Sequence, residues 1–242
     1  MKLALISDIH ANLEALQAVL RDIDTQKVDT IHCLGDVIGY GCDPVRCVHL
    51  VEKHCDVKLM GNHEYVALGL LQDEYLNNIA RESMQWTAEH LSDRETEAIS
   101  DYAMDAELEG AYLVHSSPFE PEQWHYILSI AEARQGFSHF DHFIGFCGHS
   151  HVPMIFSQTP DGGCSGQIGH DIDPASDNRY LVNIGSVGQP RDNDPRSCYV
   201  IYDSDELTVR YRRVDYDIDM TQQKMAEARL PGMLADRLRV GR

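Results

Sequence analysis

MKLALISDIHANLEALQAVLRDIDTQKVDTIHCLGDVIGYG, residues 1–41, sets the architecture. Lys2 to Ser7 is a short apolar run of the kind that forms a buried strand, and Ala11 to Asp24 follows with Leu13, Leu16, Leu20 and Ile23 at helical spacing. The pattern then repeats, with a strand from Thr30 to Leu34, a Gly/Asp/Pro turn and a helix from Pro44 to His54. A third strand, Val57 to Met60, runs into Gly61-Asn62-His63-Glu64. Strands alternating with helices in this way predict βαβ units and an α/β sheet.

Further along, Asn77 to Tyr102 reads as helical and polar, and Ser92-x-x-Glu95 is a capping box that starts a second helix there. The later chain is richer in strands: Ala111 to Val114, Phe143 to Cys147, Val152 to Phe156, Tyr180 to Ile184, Cys198 to Asp203 and Leu207 to Val214. Asp161-Gly162-Gly163 marks a turn. Asp217 to Leu230 reads as a closing helix, with Gly232 just past its end. No repeat, low-complexity tract or linker interrupts the chain, so residues 1–242 are expected to form one domain.

The 242 residues are 43% hydrophobic and 24% charged, which fits a globular chain and excludes a disordered or fibrous one. No apolar run approaches the ~20 residues of a membrane-spanning helix, and the apolar part of the N-terminal stretch is too short for a signal-peptide core. Seven scattered cysteines without a CxxC pair read as reduced thiols, so a cytoplasmic location is expected. A net charge of −19 disfavours stable nucleic-acid or anionic-membrane partners. An anionic substrate then requires a local positive centre.

Five polar motifs sit at the C-terminal ends of the predicted strands, where α/β sheets place their sites: Asp8-Ile9-His10, Gly35-Asp36, Gly61-Asn62-His63-Glu64, His115 and Gly148-His149-Ser150-His151. Their carboxylates, carboxamide and imidazoles are hard or borderline donors, suited to Mn, Fe, Zn or Mg rather than to thiolate-seeking ions. The glycines before Asp36, Asn62 and His149 allow tight backbone turns toward a shared centre. Taken singly, an Asp after Gly is a turn former and a His after a strand is a hydrogen-bonded histidine. Order and spacing together say more.

The series resembles the calcineurin-like metallophosphoesterases, whose pattern is DxH, GDxxxxG, GNHE, a lone His and GHxH. The resemblance spans residues 3 to about 215, and residues 183–191, Asn-Ile-Gly-Ser-Val-Gly-Gln-Pro-Arg, look like the compact bacterial and archaeal phosphodiesterase branch. It implies a four-layer α/β/β/α sandwich of two mixed sheets. It also implies two divalent ions from among Mn, Fe, Zn, Mg and Ni, with Mn or Fe favoured. Asp8, His10, Asp36 and His151 would hold one ion, and Asp36, Asn62, His115 and His149 the other. A hydroxide bridging them would attack phosphorus, and two such ions clamp both the attacking and the leaving oxygen.

His63 matches the family residue that protonates the leaving oxygen or steadies the transition state, with an unperturbed pKa near 6.5; the alternative is a hydrogen-bonding residue behind the ligands. Glu64 is read as capping or orienting its neighbours. Two divalent ions less two carboxylates and a hydroxide leave about +1, enough to bind phosphate in an acidic chain. The implied function is a phosphodiesterase or nucleotide or dinucleoside polyphosphate hydrolase, with a phosphomonoesterase and a non-catalytic scaffold as the alternatives. Gly35-Asp36-Val37-Ile38-Gly39-Tyr40-Gly41 lacks the second Asp and the Arg of the Ser/Thr phosphatases, which argues against protein-phosphatase activity.

Three further features stay open. Arg191 is read as a substrate-binding phosphate clamp or a surface salt bridge. Trp124-His125-Tyr126 either lines a pocket or packs. His32, His49, His54, His90, His139, His142 and His170 are read as surface or satisfied core residues. The oligomeric state is left undetermined.

Overall fold

Strand β1 (Lys2–Ile6) is buried on both faces, and its alternation separates two cores. Ala4 and Ile6 pack with residues of helix α1 (Leu13–Gln26), whereas Leu3 and Leu5 pack with Ile144, Phe146 and Val182 of a second sheet. A strand covered on both sides needs this continuous apolar composition. The computed structural model describes residues 1–71, 77–172 and 177–242.

The first sheet adds β2 (Thr30–Cys33) and β3 (Val57–Lys58) in parallel to β1, each reached through a helix, α1 and then α2 (Pro44–His54). Asn12 caps α1 by accepting the Ala15 N–H at 3.2 Å, and Lys27 closes it in the left-handed conformation. Next come α3 (Asn62–Ala67), α4 (Asn78–His90) and α5 (Asp93–Ser100). The second sheet is built from β4 (Asp105–Leu108), β5 (Ala111–Val114), β6 (Ile144–Cys147), β7 (Met154–Gln158), β8 (Cys164–Ile168) and β9 (Arg179–Asn183), with α6 (Ile130–Phe137) on its outer face. Its order is β4-β5-β6-β9-β7-β8, and β5, β6 and β9 run parallel.

The chain then returns to the first sheet. Strands β10 (Ser197–Asp203) and β11 (Thr208–Val214) pair antiparallel beside β1, giving the order β11-β10-β1-β2-β3. Helices α7 (Ile218–Glu227) and α8 (Gly232–Asp236) close the structure. The layers are therefore helix, sheet, sheet, helix, the sandwich that the motifs implied.

Several elements differ from the sequence reading. Pro153 cannot supply a ladder N–H, and β7 starts at Met154 rather than Val152. The closing helix ends at Glu227, and Gly232 opens α8 behind Pro231 instead of trailing α7. Strand β3 is shorter than expected, with Leu59 only bridging to Ala103. Strands β4 and β8 and helices α3 and α6 were not anticipated. Among the described residues, no helix is long and apolar enough to cross a membrane.

Candidate metal centre

The loops after β1, β2 and β3 and those after β5 and β6 converge at one edge of the sandwich. Within them Asp8, His10, Asp36, His149 and His151 all have positive φ, between 50° and 64°. Non-glycine residues rarely adopt this conformation, and it is maintained here by dense tertiary bonding. Asp8 N–H donates to Gly35 O and His10 N–H to Asp36 O, both at 3.0 Å, which locks the first loop to the second. The segment from Asn183 to Arg191 clamps the same loop: Val187 N–H and Gly188 N–H donate to Ser7 O and Asp8 O, and the Ser186 hydroxyl donates to Asp8 O.

Glycine has a steric role at Gly61, where a Cβ would collide with the Asp36 carboxylate and backbone. Gly35 combines φ +101° with a Cβ position only 2.8 Å from Gly61 N. The glycines thus serve close approach of the loops as much as turning.

The side chains meet in two groups. Asp8, His10, Asp36 and His151 bring ligand atoms within 4.8 Å of one another, as do Asp36, His115 and His149, and Asp36 belongs to both. Asn62 is buried beside them, with its Oδ1 free of hydrogen bonds.

Hydrogen bonds fix which ring nitrogens face inward. His10 Nδ1 donates to Ile38 O, His115 Nδ1 to Leu34 O, His151 Nδ1 to Gln189 O and His149 Nε2 to Trp124 O. Carbonyls only accept, so the other nitrogen of each ring is left to accept or to ligate. Those nitrogens lie against acceptors: His10 Nε2 is 3.1 Å from His151 Nε2, His151 Nε2 is 3.2 Å from Asp8 Oδ1, and His115 Nε2 is 3.4 Å from Asp36 Oδ2.

Such a cluster repels itself unless positive charge lies among the lone pairs. Asp8 Oδ1, Asn62 Oδ1 and His115 Nε2 are buried without hydrogen-bond partners, as groups reserved for a cation would be. The donor set fits hard or borderline divalent ions.

The electrostatics agree. Burial alone would raise the Asp8 and Asp36 carboxyls, but the surrounding histidines more than offset it and both lie below the ordinary range. Burial would lower His115, yet the Asp36 carboxylate lifts it to about 9, so this nitrogen demands a proton or a metal ion. Burial, with His115 beside it, takes His149 down to about 3.

Glu64 supports the site without facing it. Its carboxylate accepts the amide protons of Asp36, Val37, Ile38 and Gly61 at 2.8–3.1 Å, which joins the second motif to the third. Burial and the Asp36 charge push it up to about 7, against the pull of these donors.

His63 lies among the ligand candidates, edge-on to His10 and Tyr40 with ring centroids 4.7 and 4.6 Å away. Its backbone N–H donates to Asp36 Oδ1 and its Nδ1 meets the Met84 sulfur at 3.0 Å. Burial lowers it to about 4, so the unperturbed value expected from sequence does not hold. Arg191 sits beside the cluster rather than in a surface salt bridge: its guanidinium donates to Gln189 Oε1 and lies over the Tyr40 ring, 5.8 Å from the centroid.

Two clefts open beside the centre. One, of about 460 Å³, is lined by Asn62, His149, Tyr40, Tyr65, Trp124 and Tyr126, so the aromatic segment after His115 does face a pocket. Tyr40 went unremarked in the sequence, although its place between Gly39 and Gly41, two residues that let the chain turn back, was the available signal.

Residues 1–206 match the calcineurin-like phosphoesterase superfamily domain. The chain is 37% identical to the metallophosphoesterase from Sphaerobacter thermophilus, whose crystal structure superposes with a TM-score of 0.86 and covers 100% of this chain and 99% of that one. It is 36% identical to the uncharacterized protein MJ0912 of Methanocaldococcus jannaschii, over 99% of this chain and 98% of the relative. The hypothetical protein PH1004 from Pyrococcus horikoshii OT3, at 16% identity, shares the fold over 98% of this chain and 97% of its own with a TM-score of 0.79.

Fold, centre and relatives together define a phosphoester hydrolase of a metal-dependent class. The chain belongs to the calcineurin-like phosphoesterase superfamily.

Proposed function

We propose that the protein is a dinuclear phosphodiesterase or nucleotide hydrolase acting on small molecules, with residues 1–242 working as one domain. The observation that carries this reading is the pair of ligand groups sharing Asp36. Asp8, His10, Asp36 and His151 hold one divalent ion, and Asp36, Asn62, His115 and His149 hold the other, Mn or Fe being favoured. Two such ions supply a nucleophile at neutral pH and charge neutralisation at phosphorus.

The chain's own residues do the rest. The four backbone carbonyls that take imidazole protons hold the rings with their free nitrogens inward, which pre-orients the centre. Tyr40, Trp124 and Tyr126 wall the cleft and exclude water from one side of a bound ester. His63, neutral in the free protein, takes a proton from solvent when an anionic phosphoryl group arrives beside it, and then donates that proton to the leaving oxygen. Arg191 binds an anionic part of the substrate.

A diester carries one charge at the reacting phosphorus and suits a centre with few added cations. Supporting a cytoplasmic location, all seven cysteines are free, and the net charge of −19 speaks against nucleic-acid partners.

The test is hydrolysis of bis-p-nitrophenyl phosphate against p-nitrophenyl phosphate by the metal-loaded protein. A higher kcat/KM for the diester is expected, and a strong preference for the monoester would overturn the diesterase reading in favour of a phosphomonoesterase.

A further inference from the structure

The larger of the two clefts, about 580 Å³, lies on the far side of Tyr40 from the Asp/His cluster. It is within the size range of small-molecule sites. Tyr40 and Tyr126 are common to both clefts, so they form one continuous trough that begins at Asn62 and His149. Arg237, Met233 and Leu234 line it beyond Tyr40, and Arg191 lines it beside the Asp/His cluster.

Two guanidinium groups in one cleft are unexpected in a chain with 39 acidic against 20 basic residues. Acidic partners are plentiful, and several arginines use them: Arg196 pairs with Asp194, Arg212 with Asp22, Arg213 with Asp192 and Arg239 with Asp219. Arg191 and Arg237 do not. Arg191 donates to a neutral carboxamide, Gln189 Oε1, and Arg237 to a terminal oxygen of Arg242, the last residue. Among the described residues neither pairs with an Asp or Glu side chain. Arg191 and Arg237 line the same cleft, and burial and the Arg191 charge hold Arg237 below the usual arginine range. Two guanidinium groups that line one cleft, neither paired with an acidic side chain, favour an anion between them.

The location of Arg237 adds a second consideration. It lies beyond residue 206, where the match to the superfamily domain ends. The C-terminal segment is nevertheless anchored: Met225, Leu230, Leu234 and Leu238 form a buried cluster against Tyr40, Ile79 and Trp86. That anchoring presents Met233, Leu234 and Arg237 to the trough as a fixed wall.

We infer that the Arg191–Arg237 cleft is a subsite for a second phosphate, so that the ligand is a phosphoester carrying one phosphoryl group at the Asp/His cluster and another beyond Tyr40. The aromatic and apolar walls between them accept an organic group such as a nucleoside. This deepens the proposed function, and rests on it only for which end of the ligand reacts.

Calorimetric titration of the metal-loaded protein with adenosine 3′,5′-bisphosphate tests it, with adenosine and adenosine 5′-monophosphate run separately to divide nucleoside from second-phosphate recognition. The expected result is loss of affinity by about tenfold or more in Arg237→Gln, the scale of a lost charge-assisted hydrogen bond, with Arg237→Lys losing less. Met233→Glu, at a position 64% exposed where folding is not at stake, weakens binding similarly by repulsion. Arg239→Gln, two residues on and paired with Asp219, binds as the unmodified protein does.

The bisphosphate binds more tightly than adenosine 5′-monophosphate, and adenosine alone binds poorly. Unchanged affinity in both Arg237→Gln and Met233→Glu, or an equal loss in Arg239→Gln, overturns the inference. A protein that binds in this pattern but cleaves no diester keeps the subsite and loses the proposed function; one that cleaves diesters while Arg237→Gln and Met233→Glu bind normally does the reverse.

Discussion

A histidine that gives one ring proton to a backbone carbonyl has only a lone pair left at its other nitrogen, and four such lone pairs gather around Asp8 and Asp36. This commits the residues to a cation more firmly than their identities do. His63 is the exception, since its Nδ1 rests on a thioether and not a carbonyl. His63→Ala should lower kcat by about 10²–10⁴, the contribution of a positioned acid. The loss should be larger for alkoxide leaving groups than for p-nitrophenolate, at unchanged metal content. Equal losses for both would remove the proton-donating role.

Glu64 carries a different load. Glu64→Ala strands four buried amide donors, each costing about 1–3 kcal/mol when unsatisfied, while Glu64→Gln keeps acceptors for some of them. Denaturant unfolding should find the alanine variant less stable by at least about 3 kcal/mol and the glutamine variant between it and the unmodified protein. The type and order of the site residues were readable in the chain because each follows an apolar run. Tyr40 and Arg237 were not, because the contacts that give them a place come from residues far away in sequence.

At the scale of elements, the local signals that were read held where the signal was strong. The capping box at Ser92 starts α5 as expected, with Glu95 taking the Ser92 N–H and hydroxyl and pairing with His49 at 2.7 Å. These bonds, led by the Ser92 hydroxyl, depress the Glu95 pKa to about 2 from 4.5. A depressed carboxyl stabilises the fold above its unfolded pKa and loses that contribution as pH falls through the folded one.

Glu95→Ala should therefore lower stability at neutral pH by about 0.5–2 kcal/mol, the range of a lost cap. The difference from the unmodified protein should shrink between pH 4.5 and about 2. A difference that stays constant across that window in thermal unfolding would contradict this assignment. A matching box, Ser129-x-x-Glu132, opens α6 and was overlooked because the eight-residue helix offers barely two turns of periodicity. Strands β4 and β8 escaped for a related reason: β4 alternates exposed and half-buried residues and β8 is exposed from Ser165 to Ile168, so neither has the continuous apolar run of β1 or β6.

Across the whole molecule, the five motifs lie together because the sandwich turns the ends of β1, β2 and β3 and of β5 and β6 to the same edge. Pairing of β10 with β1 brings the chain back, and the Asn183–Arg191 segment then ties the two sheets together above Ser7 and Asp8. The layer order followed from the resemblance, whereas the joining of the C-terminal helices to the trough wall depended on tertiary packing that no local pattern encodes. Leu234, 2% exposed, is central to that joint. Leu234→Ala should cost about 2–5 kcal/mol, read as a lower denaturation midpoint.

The central claim is a shared two-ion centre with Asp36 common to both groups. Metal content per chain, measured by elemental analysis on the purified protein and on Asp36→Asn, tests it most directly. The account predicts about two divalent ions per chain in the unmodified protein, with both lost or sharply reduced together in Asp36→Asn along with turnover. An Asp36→Asn protein that keeps its full metal content and hydrolyses bis-p-nitrophenyl phosphate at the unmodified rate would contradict it.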